Sequence, residues 1–100
     1  MKKETKFKLP SGATRSENLS SKVRFDLLSP HAIRRIASVY AEGAVKHGDR
    51  NWEKGMPEYE LINRALNHIF LYMQGDRTED HIGHATWNLC AQMHFEELKK

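Results

Sequence analysis

Four polar side chains recur at helical spacing in the C-terminal third of the sequence. His81, His84, Asn88 and Gln92 follow one another at i, i+3, i+7 and i+11, which places them along one stripe of a helix. The remainder of that segment is largely apolar. We therefore expect the stripe to face a cavity or a partner rather than open solvent.

A second segment offers groups that could complete a pocket with this stripe. Arg64 and His68 are one turn apart on a predicted helix and share a face, with Asn67 nearby. Guanidinium, imidazole and amide groups together can bind an anion and hydrogen-bond its other polar atoms. The two segments predict a basic, hydrogen-bonding pocket.

The histidines also permit a metal hypothesis. His81 and His84, with Asp80, could hold a divalent ion, because histidines one turn apart are common ligands. Structural zinc sites need three or four converging ligands, and the spacing does not identify a third one. Buried histidines satisfied by backbone or water are the simpler interpretation, so the metal remains unassigned.

A connecting segment at residues 46–55 contains a third set of candidate groups. Lys46 and Arg50 can donate to phosphate, the Asn51 amide can pair with a base edge, and Trp52 offers a flat surface for stacking. These are the groups that a nucleotide needs. The alternative is a charged surface loop pinned by a buried tryptophan, and local chemistry does not choose between the two.

Three helices are predicted to position these groups. The first begins at Ser29-Pro30 and ends at Gly48, and the second begins at Pro57 and ends before Gly75. For the third helix we expect Thr78 to act as the cap, with Glu79 and Asp80 in the first turn. Its inward face is predicted to carry Ile82, Ala85, Thr86, Leu89, Cys90 and Met93.

The size of the chain limits its organisation. One hundred residues with 39% hydrophobic content predict one all-α domain at 29–100, preceded by an irregular, partly ordered arm at 1–28. Three short helices bury little surface, so we expect a dimer or tetramer to complete the bundle. A net charge of +3 favours anionic partners, and no stretch predicts a membrane span or a secretory signal. A cytoplasmic protein is expected.

Several motifs together resemble a known family. They are Ser11-Gly12-Ala13 with Arg15, Arg24-Phe25-Asp26-Leu27, Gly43-Ala44 with Lys46, Gly48-Asp49-Arg50-Asn51-Trp52 and Gly55, followed by His68, Gly75, His81, His84 and Asn88. In residue types and spacing this pattern is similar to the phage-encoded dATP/dGTP diphosphohydrolase N-terminal family over roughly residues 11 to 97.

The resemblance implies an oligomeric all-α fold, related to the MazG-like pyrophosphatases, that acts on purine deoxynucleoside triphosphates with magnesium. The wider MazG-like group holds its metal through Glu-x-x-Glu and Glu-x-x-Asp pairs. Here Glu42 is followed at i+3 by Val45, and Asp80 by Gly83, so neither pair is present. This departure weakens the case for hydrolysis and leaves the case for phosphate binding intact.

We therefore predict a phage-type protein that sequesters a purine nucleotide, such as a cyclic nucleotide immune signal, with no catalytic residue and no cofactor. Its predicted binding residues are Arg15, Arg24, Lys46, Arg50, Asn51, Trp52, Arg64, His68, His81, His84 and Asn88. The alternative is a diphosphohydrolase in which Glu42 and Asp80, with Asp76 or Glu79, hold Mg²⁺. Nucleic-acid binding is the least favoured, because no helix carries a cluster of basic residues.

Overall fold

The computed structural model describes residues 4–18 and 23–100. Three helices form the body: α1 is Pro30–His47, α2 is Glu58–Met73 and α3 is His81–Leu98. Short 3₁₀ turns lie at Phe25–Leu27 and Asn51–Lys54. The predicted all-α class with three main helices is confirmed. None of the described helices combines the length and apolar character needed to cross a membrane.

The N-terminal arm contains a hairpin that the sequence pattern does not indicate. Strand β1, Glu4–Lys8, pairs antiparallel with β2, Thr14–Asn18. Gly12 has a φ of 93°, and the Gly12 N–H donates to the Leu9 carbonyl at 2.8 Å. A glycine adopts this backbone without steric cost, so the tight turn forms although the strands are short and mostly polar.

Both predicted ends of α1 are confirmed. The Ser29 hydroxyl accepts from the Ala32 N–H at 3.2 Å, and Pro30 occupies the first helical position. At the other end, Gly48 has a φ of 96° and its N–H donates to the Ala44 carbonyl. These caps satisfy backbone groups that the helix itself leaves unpaired.

The predicted start of α3 is wrong by two residues. Asp80, not Thr78, is the cap, because its carboxylate accepts from the Gly83 N–H at 2.9 Å. The Thr78 hydroxyl and N–H instead donate to Asp76 Oδ1 at 2.6 and 2.8 Å. That local turn occupies Thr78, so the helix begins at His81 and leaves Glu79 outside its first turn.

The packing of α3 reverses part of its predicted orientation. Ala85 is buried as expected, but Ile82 is 41% exposed, Leu89 42% and Met93 58%. The polar stripe faces inward instead, with His81 and Asn88 only 3% and 5% exposed. The helix packs against both α1 and α2 through small and polar residues, and its larger apolar side chains point away from them.

Gly83 permits the close approach of α3 to α1. A Cβ built at this position would lie 3.0 Å from Val39 Cγ2 and 2.2 Å from Asp80 Oδ2. Val39 is one of the buried apolar residues of the core, together with Leu61, Ala65 and Ala91. The absence of a side chain at Gly83 therefore fixes how near the two helices lie.

Candidate functional site

A cleft of about 750 Å³ opens beside the helical body. Its walls are the C-terminal half of α1, the connection from Gly48 to Met56, one face of α2 and the middle of α3. Eight of the eleven predicted binding residues line it: Lys46, Arg50, Asn51, Trp52, Arg64, His68, His84 and Asn88. Side chains that are distant in sequence therefore meet at one place.

The other three predicted binding residues are not among the described residues that line the cleft. His81 is buried behind the cleft and borders a smaller depression on its far side. Arg24 pairs with Asp26 at 2.7 Å in an exposed segment, which raises the pKa of Arg24 and lowers that of Asp26. The side chain of Arg15, on β2, falls outside the part of the chain that the structure describes.

The connection between α1 and α2 takes its shape from three residues with positive φ. Gly48 has a φ of 96°, Arg50 of 57° and Gly55 of 124°. Arg50 is the non-glycine member, and its guanidinium donates to Glu53 Oε1 at 2.7 Å. The backbone turns tightly here, and it brings Asn51 and Trp52 to the cleft wall.

An aromatic cluster anchors this connection to the helices. The Trp52 ring centroid lies 5.9 Å from that of Tyr40, 6.0 Å from Trp87, 4.8 Å from His94 and 5.9 Å from Phe95. Edge-to-face contacts of this kind contribute about 0.5–1.5 kcal/mol each beyond the area they bury. Trp52 therefore anchors the loop through these ring contacts and also lines the cleft.

The sequence prediction omitted some cleft residues. Trp87, Tyr40 and Met56 line the cleft, and Trp87 also packs against Tyr40 with ring centroids 6.0 Å apart. Trp87 is one turn after His84 and directly before Asn88, so it lies beside the polar stripe. This position could have identified Trp87 as a cleft residue from the sequence.

Three histidines stand together where α2 meets α3. His68 Nδ1 lies 2.9 Å from His81 Nδ1, and the rings of His68 and His84 stack with centroids 5.2 Å apart. Burial is the main cause of a lowered pKa at His68, with nearby Glu79 opposing it. Desolvation disfavours the charged imidazolium and therefore favours the neutral ring at His68, and the tautomers of His68 and His81 decide which of their two facing nitrogens donates.

Carboxylates surround the histidines. His68 Nδ1 lies 3.8 Å from Glu79 Oε1, His81 Nε2 lies 3.5 Å from Asp76 Oδ2, and His84 Nε2 lies 3.7 Å from Glu42 Oε2. The lining of the cleft includes three Lys or Arg (46, 50, 64) and four Asp or Glu (42, 49, 53, 60). Counting these groups alone, the cleft has one more acidic than basic side chain, so it is not the predominantly basic pocket that the sequence predicted.

The residues proposed for magnesium do not converge. Glu42 lines the cleft, whereas Asp80 caps α3 and receives hydrogen bonds from Arg35, whose guanidinium lowers the Asp80 pKa to about 2. Glu53 and Glu60 already accept from Arg50 and Arg64. In the described residues no three carboxylates come near enough to share one ion. The protein therefore offers no shared oxygen cage, and Mg²⁺ would have to take most of its octahedral oxygen ligands from water or substrate phosphate.

Comparison with protein families gives a match over most of the chain. A family described as dATP/dGTP diphosphohydrolase, N-terminal, matches residues 12–100. No curated protein and no solved structure shows a significant match to the chain. The match covers the entire cleft and the histidine group.

Proposed function

Because the chain belongs to the dATP/dGTP diphosphohydrolase N-terminal family, we propose that it binds a purine nucleotide in the cleft. The observation that carries this proposal is the convergence of eight predicted binding residues on one cavity of about 750 Å³. Ligand pockets for small molecules have volumes of about 300–1,000 Å³. The cleft is large enough for a nucleotide.

Each class of lining residue has a role in this proposal. Lys46, Arg50 and Arg64 bind the phosphates, with the two arginines exchanging their glutamate partners for phosphate oxygens. Asn51 recognises a base edge through its paired donor and acceptor. The exposed part of Trp52 contacts the base, and its other edges stay within the aromatic cluster.

We further propose that the nucleotide is held without hydrolysis, as a phage-encoded protein would hold a cyclic nucleotide immune signal. The dispersed carboxylates support this choice, because transfer or cleavage of a phosphoryl group depends on cations at the developing charge. Binding alone requires no magnesium. Hydrogen-bond donors and a flat aromatic surface suffice for it.

The second candidate function is Mg²⁺-dependent hydrolysis of dATP or dGTP to monophosphate and pyrophosphate. The family description favours it, and four carboxylates do line the cleft. In that case Glu42 is the residue to test, because it lies inside the cleft whereas Asp80 is held by Arg35. Turnover of dGTP that is lost in Glu42→Gln would establish this function.

We also propose that a second copy of the chain covers the apolar face of α2 and α3. On α2, Ile62, Leu66 and Phe70 are 37%, 47% and 57% exposed and follow one another at i, i+4 and i+8. Ile82, Leu89 and Met93 form a corresponding stripe on α3. Two stripes of large apolar side chains left in water favour association, and a second pair of helices would complete a four-helix bundle.

Isothermal titration in magnesium-free buffer tests the binding site. Purified protein is titrated with dGTP, dATP and cyclic dinucleotides, in the wild type and in Lys46→Ala and His84→Ala. We expect at least tenfold weaker binding in both variants and no change in Lys99→Ala, which lies outside the cleft. Equal affinities in all three folded variants would show that the ligand does not bind in this cleft.

A further inference from the structure

The histidine group has a carboxylate close beside it, that of Glu79. We propose that His68, Glu79 and His84 bind a divalent metal of the zinc class. One nitrogen of each imidazole and one carboxylate oxygen all lie within 4.8 Å of one another. Among the residues that the structure describes, this is the set of three that meets such a limit.

The separation is close to what a metal requires. In a tetrahedral zinc site with bonds of about 2.0–2.2 Å, neighbouring ligand atoms are about 3.3 Å apart. Side-chain rotations that move the ligand atoms by roughly 1 Å would therefore bring all three within bonding distance of one ion. Glu79 can make the larger movement, because half of its side chain is exposed. His68 and His84 are 19% and 26% exposed, so an ion would displace little bound water from them.

Both imidazoles also have the polar neighbours that metal-bound histidines use. A ligating imidazole presents its second ring nitrogen to a carboxylate or another acceptor, which fixes the tautomer and the ring orientation. His68 has His81 at 2.9 Å from Nδ1, and His84 has Glu42 at 3.7 Å from Nε2, so the ion would bind Nε2 of His68 and Nδ1 of His84. These contacts orient the two rings before any ion is present.

His81 supplies the observation that a structural role alone does not explain. Its side chain is 2% exposed, and its buried Nε2 atom makes no hydrogen bond although Asp76 Oδ2 lies 3.5 Å away. A buried polar atom without a partner costs about 1–3 kcal/mol. If metal binding draws electron density from His68, then His81 can donate this N–H more strongly to Asp76, and the chain Asp76–His81–His68 becomes fully hydrogen-bonded.

The ligand chemistry identifies the class of ion. Two imidazoles and one carboxylate leave a fourth position open and suit zinc, cobalt or nickel better than magnesium, which prefers an all-oxygen set. His68 and His84 line the cleft and Glu79 lines the smaller depression, so the proposed ion lies between the two. The metal site does not depend on the proposed function, because it can fill with no nucleotide present.

Titration with cobalt and zinc alone tests the site. Untagged full-length protein, stripped of metal by a chelator, is titrated with Co²⁺ while the visible absorption bands are recorded, and then with Zn²⁺ by calorimetry. We expect one ion per chain, with Mg²⁺ in large excess failing to displace it. No nucleotide is added, so this result is separate from the outcome of the nucleotide titration.

Variants assign the ligands. Glu79→Gln, His68→Gln and His84→Gln should each weaken zinc binding by about 100-fold or more, and His81→Gln by about 10- to 100-fold. His31→Gln is the matched control, because it removes an exposed histidine from the start of α1. Because the Glu79 side chain is half exposed, Glu79→Gln still tests the metal site if one of the buried histidine variants fails to fold. The absence of cobalt bands in the wild type, or an equal loss in His31→Gln, would overturn the proposal.

Discussion

Asp80 caps α3, the helix that carries the polar stripe, so its removal gives the sharpest stability prediction. Its carboxylate accepts from the Gly83 N–H at 2.9 Å and from Arg35 Nε at 3.0 and 3.1 Å. One side chain thereby caps α3 and ties it to α1. Asp80→Ala removes both contacts.

The size of the effect follows from the pKa of Asp80. Its decrease from 3.8 to about 2 corresponds to about 2.4 kcal/mol at about 1.36 kcal/mol per unit. Solvent screening at the exposed Arg35 reduces that to about 1–2 kcal/mol for the variant. Asp80→Asn should lose less, because asparagine remains a good cap. Since the folded pKa is the lower one, this stabilisation is present above pH 4 and is lost as the pH falls towards 2.

Urea unfolding followed by far-UV circular dichroism measures the change, with the order of stability wild type, Asp80→Asn, Asp80→Ala. Asp26→Ala is the matched control. Asp26 is also paired with an arginine, but it neither caps a long helix nor joins two helices. An equal loss in Asp26→Ala and Asp80→Ala would refute the assignment of Asp80 as the link between α1 and α3.

Three further predictions follow from packing. Gly83→Ala should lower the free energy of unfolding by about 1–3 kcal/mol in urea titrations, because its Cβ would meet Val39 and Asp80; unchanged stability would mean that α1 and α3 are not in close contact. Trp52→Ala should reduce both stability and nucleotide affinity, whereas Trp52→Phe should retain most of each, as measured by unfolding and calorimetry. Leu66→Glu should shift the protein to a smaller species in sedimentation velocity, whereas Asn67→Glu on the neighbouring polar face should not; a wild type that is already monomeric would contradict the proposed assembly.

The sequence predicted the helices well because their ends depend on local chemistry. Ser29, Pro30 and Gly48 act within one turn of their own position, and the structure confirms all three. The start of α3 was harder to predict because Thr78 and Asp80 both have cap side chains. The choice between them depends on Asp76, which occupies Thr78, and on Arg35, which is distant in sequence.

The sequence predicted many of the residues that line the cleft, but it predicted less well how they are arranged there. Helical spacing placed His84 and Asn88 on one stripe, and both line the cleft. Spacing could not show that His81, on the same stripe, lies behind the cleft, since this depends on the rotation of α3 against α2. The pairing of Arg50 with Glu53 and of Arg64 with Glu60 also arises only in the folded cleft, and it explains why the pocket is not basic.

The most direct test of the central claim is to analyse the nucleotide after contact with the protein. Purified protein is incubated with a panel of nucleoside triphosphates and cyclic dinucleotides in the presence of Mg²⁺, then denatured by heat, and the released nucleotide is separated by chromatography. Sequestration predicts recovery of an intact nucleotide that the folded protein had retained. Conversion of dGTP or dATP to monophosphate and pyrophosphate would contradict it and make the protein a diphosphohydrolase.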